Sequence, residues 1–365
     1  MGASRVPMER ILIVRLGSLG DIVHALPAVA ALRATYPRAR IDWLVDARHV
    51  SFLRLVPTID TRIEWRAPGA AGWRRSLAVI RGLRATRYDA ALDLQGLLKS
   101  AVLSRGSGAR RAIGFSAAYL REPGARWLYH ETVAPAGAEH VVQKNLSMAR
   151  ALGAADASWT FPIDVPPRPE WPELQPMVGV GGDGRFALLN PGAAWPNKRW
   201  PPERFGRVAA HLQRRHGLPS LTIWGPGERD LAVAVERTSD GAAVVSPETS
   251  VGELVALAAA ASVIVAGDTG PLHIAAAVGT PVVGLFGPTD PARNGPWAPD
   301  DVVVSRVDAC HCHHKRSCLI DRWCLADIAV SDVEAAVDRR LAGPARARPD
   351  GPRVLLTGYD GHDRT

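Results

Sequence analysis

Short β-branched apolar runs alternate with longer Ala-, Leu- and Arg-rich stretches along most of the chain. The runs at residues 10–16, 41–45 and 90–94 are apolar at nearly consecutive positions, as strands covered on both faces must be. A second series follows at 186–190, 220–224, 242–245, 263–266 and 282–286. Between them, segments 22–35, 73–84, 202–215 and 251–261 carry apolar residues at helical spacing. Strands alternating with helices of this length predict parallel sheets with helices on both faces. The alternation stops at residues 161–176, which hold repeated prolines and read as an interdomain linker. The expectation is an α/β chain of two doubly wound domains facing each other across a cleft. The first spans 8–170 and the second 177–341; a Pro-, Gly-, Arg- and Asp-rich tail, 342–365, reads as poorly ordered.

Composition supports this and narrows the function. A chain of 365 residues, 47% apolar and 22% charged, can fill two full-sized cores, which excludes a disordered chain and a small disulfide scaffold. No apolar run reaches the ~18 residues of a membrane span. The first ten residues lack the apolar stretch of a signal peptide, so a cytosolic protein is expected. The 44 basic residues outnumber the 36 acidic ones, and only Lys99, Lys144, Lys198 and Lys315 among them are lysines. Arg105, Arg110, Arg111, Arg121 and Arg126 crowd one stretch of the first half. Such a basic field favours phosphorylated sugars, anionic lipid headgroups or nucleic acid. Nucleic acid is disfavoured, because no aromatic residues interleave the arginines and no nucleic-acid motif is present.

Two strand-to-helix turns carry the candidate chemistry. Gly17-Ser18-Leu19-Gly20-Asp21 follows the first strand directly and opens the first helix. Its glycines permit a tight turn, and the N–H groups of the helix start favour an anion. Taken alone, Asp21 reads as a helix cap; at the carboxyl end of a strand in an open α/β sheet it also stands where ligands bind. The second turn is Gly267-Asp268-Thr269-Gly270-Pro271-Leu272-His273. Thr269 and Gly270 offer N–H groups to a phosphate, and Asp268 offers acceptors to sugar hydroxyls. His273 alone reads as a structural histidine, or as a group at the same mouth one turn into the helix. Upstream, Asn190-Pro191-Gly192-Ala193-Ala194 and then Lys198-Arg199 form a Gly-containing loop followed by cations, suited to a diphosphate. Glu228, in Gly225-Pro226-Gly227-Glu228, suits a ribose diol.

Together with Leu92–Ala101 (Leu-Asp-Leu-Gln-Gly-Leu-Leu-Lys-Ser-Ala), Arg121-Glu122-Pro123, Lys198-Arg199-Trp200-Pro201 and Phe286-Gly287-Pro288-Thr289-Asp290, these turns resemble glycosyltransferase family 9, the lipopolysaccharide heptosyltransferases. The likeness runs from about residue 10 to about residue 340 and is nearer to the heptosyltransferase I type. It implies a GT-B architecture with an acceptor domain first, an ADP-heptose domain second, and an inverting reaction in the cleft that requires no cofactor. By motif position, Asp21 is the base that takes the proton of the attacking Kdo hydroxyl, and Lys198 steadies the departing diphosphate. Gly192, Lys198, Glu228, Asp268, Thr269, Gly270 and His273 would bind the donor. Ser18, Gln95, Lys99, Arg62, Arg66, Arg74, Arg75 and Arg121 would face Kdo-lipid A, whose carboxylates and phosphates suit the arginine fork. A lipid acceptor and a basic protein imply peripheral contact with the cytoplasmic face of the inner membrane. The Ala193-Ala194 pair departs from members that carry hydroxyls there. Two other readings stand beside this one: a family 9 transferase with another nucleotide sugar or acceptor, and a non-catalytic protein that binds anionic ligands.

All four cysteines, Cys310, Cys312, Cys318 and Cys324, fall in one insert at 310–324 together with three histidines. Three readings are open: a structural zinc site, reduced thiols packed in a loop, or disulfides, which a cytosolic location opposes. Some family 9 members have a similar insert. A metal there would brace the fold and take no part in the reaction.

Overall fold

The computed structural model describes residues 8–66, 73–154, 159–171, 184–313, 315–316, 318 and 324–343. Residues 344–365, most of the tail read as poorly ordered, lie outside them, as do the side chains of Arg74 and Arg75. Two six-stranded sheets, every strand pair parallel, form the frame. The first sheet contains β1 (Arg10–Val14), β2 (Arg40–Asp46), β3 (Thr61–Trp65), β4 (Ala90–Asp93), β5 (Arg111–Phe115) and β6 (Glu131–Val133) in the order β3-β2-β1-β4-β5-β6. Its helices are α1 (Leu19–Thr35), α2 (Val50–Leu53), α3 (Trp73–Thr86), α4 (Leu98–Gly106) and α5 (Val141–Ala151).

The second sheet repeats the plan with β7 (Ala187–Asn190), β8 (Ser220–Thr222), β9 (Ala243–Val245), β10 (Val263–Gly267), β11 (Val282–Phe286) and β12 (Val302–Ser305), ordered β12-β11-β10-β7-β8-β9. With it go α6 (Pro202–His216), α7 (Arg229–Arg237), α8 (Val251–Ala260), α9 (Gly270–Ala277), α10 (Pro291–Asn294) and α11 (Val330–Ala342). Each sheet reverses its strand order once, between β1 and β4 and between β7 and β10. Ligands of doubly wound folds bind at such switch points, outside the carboxyl ends of the strands.

The two-sided burial explains the continuous apolar runs. In β1, Ile11 and Ile13 face a core shared with α1 and α5, while Leu12 and Val14 face another with Leu83 and Leu103. In β10, Ile264 and Ala266 join the first of these cores, and Val263 and Val265 pack beneath α6 and α11. The core holding α1 is therefore continuous across both domains. Three of the four unpredicted strands, β3, β6 and β12, lie at sheet edges. There one flank lacks a neighbour, and mixed sequences such as Thr61-Arg-Ile-Glu-Trp65 are tolerated. The expected linker is fastened down where it is described. Phe161 stacks on Trp297 of the second domain at 4.3 Å, and the Asp164 N–H donates to Leu55 O at 2.7 Å. Among the described residues, no helix is long and apolar enough to cross a membrane.

Candidate active site at the domain junction

The first turn places Asp21 in the first turn of α1, where its carboxylate accepts from Ser18 N–H at 2.9 Å and from Ser18 Oγ at 3.1 Å. Arg15, buried just beyond β1, pairs with the other oxygen at 2.5 Å. Burial alone would raise the Asp21 pKa; Arg15, the Ser18 donors and the more distant charge of Arg293 outweigh it and hold the carboxyl below its usual value. Asp21 is thus ionised, half-exposed and fixed in orientation, the state a proton acceptor needs. Arg293 belongs to α10, so charge from the second domain already reaches this carboxylate.

In the second domain, the loops after β7 and β10 meet at the switch point. Asn190 Nδ2 donates to Thr269 Oγ1 at 3.0 Å, and Thr269 Oγ1 donates to Gly267 O at 3.1 Å. The Thr269 hydroxyl is thereby turned from the helix, and α9 begins without a side-chain cap. Its first N–H groups are thus left without a side-chain acceptor, an arrangement suited to an anion. The Asp268 carboxylate binds Lys198 Nζ at 2.5 Å, His273 Nε2 at 3.0 Å and Asn294 Nδ2 at 2.8 Å. Burial pushes its pKa up, but the His273 hydrogen bond and the Lys198 charge prevail and hold it well below the usual carboxylate range. Lys198 also lies over the Trp195 ring at 4.7 Å.

Glu228 meets Arg199 Nη2 at 3.1 Å and accepts from Gly225 N–H at 3.3 Å. It closes directly over Gly192: a Cβ there would stand 2.1 Å from Glu228 Oε2, so only glycine permits this approach. Gly192, Lys198, Glu228, Asp268, Thr269 and Gly270 therefore line one rim of the second domain.

The two rims touch. A Cβ on Gly20 would lie 2.3 Å from His273 Cδ2, and one on Gly270 would lie 2.9 Å from Leu19 Cδ2. The N-termini of α1 and α9 consequently adjoin. His273 is buried at this contact, bonded to Asp268 and 4.4 Å centroid to centroid from His24. His24 and His140 complete a cluster with Trp297, and His140 Nε2 bonds Gly295 O at 3.0 Å across the junction. Burial, with neighbouring imidazoles, pushes the His24 pKa well below the usual value, and burial lowers that of His140.

Arg15, His24, His140, Arg293, Asn294 and Trp297 carry no motif signal of their own. Arg15 alone has one clue, a charge interrupting an apolar strand run.

The residues expected on the acceptor side are spread more widely. Gln95 accepts from Leu16 N–H at 2.7 Å and so ties β4 to β1 at the first switch point. Arg62 spends its donors on the carbonyls of Leu53 and Val56, at 3.0 and 2.6 Å. Arg66 lines an open groove with Glu64, Trp65, Ser76 and Val79, and Lys99 lies 5.8 Å above the same Trp65 ring. Arg121 is exposed beside Glu122, whose carboxylate accepts from Leu98 N–H at 2.7 Å.

Comparison with known proteins gives concordant results. The model of glycosyltransferase family 9 (heptosyltransferase) matches residues 76–324. Lipopolysaccharide heptosyltransferase 1 of Pseudomonas aeruginosa is 29% identical over 320 residues, covering 85% of this chain and 87% of that protein. Lipopolysaccharide heptosyltransferase 3 of Escherichia coli K12 is 30% identical over 292 residues, covering 76% and 82%. Among solved structures, the E. coli heptosyltransferase WaaC with ADP superposes with a TM-score of 0.73 at 24% identity, over 91% of this chain and 99% of that one. The expected GT-B architecture is the one observed.

Proposed function

The chain belongs to glycosyltransferase family 9, and from that premise we propose that it transfers heptose from ADP-heptose to a Kdo residue of lipid A in lipopolysaccharide core synthesis. One observation carries the reading. Asp21 adjoins Gly20, Gly20 abuts His273, His273 bonds Asp268, and Asp268 pairs with Lys198. A carboxylate on one domain thus stands near a cation and an uncapped helix start on the other, and this supports reading Asp21 as the base in a displacement at a nucleotide-linked sugar. The donor side is supported by relatives named for heptosyl transfer and by WaaC structures with ADP and with a fluorinated ADP-heptose.

In the proposed step, the acceptor oxygen forms a bond to the anomeric carbon while the bond from that carbon to the diphosphate oxygen breaks. ADP departs with the electron pair, and the hydroxyl proton passes to Asp21. One displacement from the opposite face inverts a β-linked donor to an α-glycoside. Negative charge grows on the leaving oxygen, which Lys198 Nζ, held by Asp268, and the α9 N–H groups would stabilise. Preorganised charge of this kind acts on the transition state without reorganisation at the moment of reaction. Glu228, over Gly192, offers its carboxylate to the ribose diol. The exposed Arg121, and Arg66 beside the Trp65 groove, suit the acceptor's phosphates and carboxylates, and a lipid acceptor brings the protein to the cytoplasmic face of the inner membrane.

The test is incubation with ADP-heptose and Kdo-lipid A in the presence of EDTA, followed by mass spectrometry. A mass gain of one heptose is expected, with ADP released in equal amount. ADP-heptose binding without transfer would refute the acceptor; failure to bind ADP-heptose would refute the donor.

A further inference from the structure

We propose that Cys310, Cys312, Cys318 and Cys324 form a four-thiolate site for a single divalent transition-metal ion of the zinc or ferrous class, which braces the turn carrying Lys198. The four are the chain's entire cysteine content, none forms a disulfide, and all pack in one cluster between β12 and α11. Cys312 Sγ lies 3.6 Å from Cys310 Sγ and 3.2 Å from Cys318 Sγ. Cys324 Sγ is within hydrogen-bond reach of Cys310 and also faces Cys312. In a tetrahedral thiolate cage with metal–sulfur bonds of ~2.3 Å, neighbouring sulfurs stand ~3.8 Å apart. Successive sulfurs in the series Cys324, Cys310, Cys312, Cys318 are thus near that spacing, while no three of the four lie within 4.8 Å of one another, so an ion would draw the open row into a cage.

Polar donors are aimed at the sulfurs as well. Cys312 N–H donates to Cys310 Sγ at 3.4 Å, and Asn197 Nδ2 to Cys312 Sγ at 3.8 Å. N–H groups directed at sulfur stabilise thiolate over thiol and orient it as a ligand. Cys310, Cys312 and Cys324 are buried and Cys318 is half-buried, so the cage is shielded without being sealed. Four thiolates are soft ligands, which select zinc or ferrous iron over magnesium or calcium.

The position gives the site its role. Asn197, which contacts Cys312, also donates to Lys315 O at 2.9 Å, and the next residue is Lys198. Arg316 lies 5.8 Å from the Trp195 ring that Lys198 covers from 4.7 Å. Cys324 Sγ would stand 2.7 Å from a Cβ on Gly287, so the cluster also presses on the end of β11. An ion here would lock the insert against the loop after β7 and fix the cation that faces the diphosphate. This holds whichever sugar the chain transfers.

The test is elemental analysis of the full chain, purified under reductant and without chelator from medium supplied with zinc and iron. About one zinc or one iron per chain is expected, the element found deciding between the two. Cys312→Ser and Cys318→Ser should each lower it to under ~0.2, while Asp21→Asn, on the other domain, keeps it. Should the serine variants fail to fold, the wild-type chain, stripped by a mercurial and refilled with Co²⁺, supplies the readout. It should develop a sulfur-to-cobalt charge-transfer band and the intense visible bands of a tetrahedral site. Metal under ~0.1 per chain with four titratable thiols, or a mass deficit of disulfides under reductant-free handling, would overturn the proposal.

Discussion

Replacing Lys198 by Met removes one charge and keeps most of the side-chain stem, which isolates the ion pair with Asp268. In the wild type, Nζ and Oδ2 are 2.5 Å apart, with the two side chains 15% and 5% exposed. Removing one partner of a buried pair costs ~3–5 kcal/mol, because the other charge stays buried. Asp268 retains His273 at 3.0 Å and Asn294 at 2.8 Å, which offset part of that loss. The expected destabilisation is therefore ~2–3 kcal/mol, or ~4–12 °C in melting temperature for a domain of this size. Turnover should fall ~10²–10³-fold, as when one preorganised donor is removed from a developing anion.

The pH dependence discriminates this account from a simple packing defect. Burial raises the Asp268 pKa, but His273 and Lys198 together hold it far below its usual value. A depressed carboxylate contributes stability above its unfolded pKa of ~3.9 and loses it as pH falls toward the folded value. Lys198→Met brings the folded pKa back toward the unfolded one and so has less to lose. The gap between wild type and variant should be widest at neutral pH and shrink below pH ~4. Urea midpoints measured across that range test it. Equal midpoints at neutral pH, or a gap that persists undiminished in acid, would refute the reasoning.

Other outcomes follow from the same geometry. Asp21→Asn should lower turnover at least ~10²-fold, with donor affinity unchanged by calorimetry; turnover above ~10% of wild type would exclude Asp21 as the base. His24 and His140 are held neutral by burial, so protonation of the unfolded chain should erode stability as pH falls below ~6.5, by up to ~1.4 kcal/mol per unit for each. His24→Gln should flatten that slope in urea titrations. Gly192→Ala would thrust a methyl to within 2.1 Å of Glu228 Oε2. The flexible carboxylate can swing away, so stability should change by under ~1 kcal/mol while KM for the donor rises more than kcat falls.

Much of the site was legible in the linear order of residues. Asp21, Asp268, Thr269 and Gly270 sit in turns between a buried strand and a helix, and a strand-to-helix turn fixes both which end of the sheet they occupy and that N–H groups surround them. Lys198 and Glu228 follow strands in the same way. Their partnerships were not legible. That Lys198 pairs with Asp268, 70 positions away, depends on β7 and β10 lying side by side at the switch point.

What the sequence by itself determined is local. Consecutive apolar runs require strands covered on both faces, helical spacing requires amphipathic helices, and their alternation requires parallel sheets wound in two units. Edge strands such as β3 and β6 escaped this reading because solvent on one flank relaxes the demand for apolar side chains. Only the tertiary structure decided that α1 and α9 abut through Gly20 and Gly270, that His24, His140 and His273 gather at the junction, and that the cysteine insert packs on Asn197, the residue before Lys198. Each of these depends on closing long stretches of chain onto one another. The free energy that selects such a closure is spread through the shared core that joins the two domains, and no local pattern encodes it.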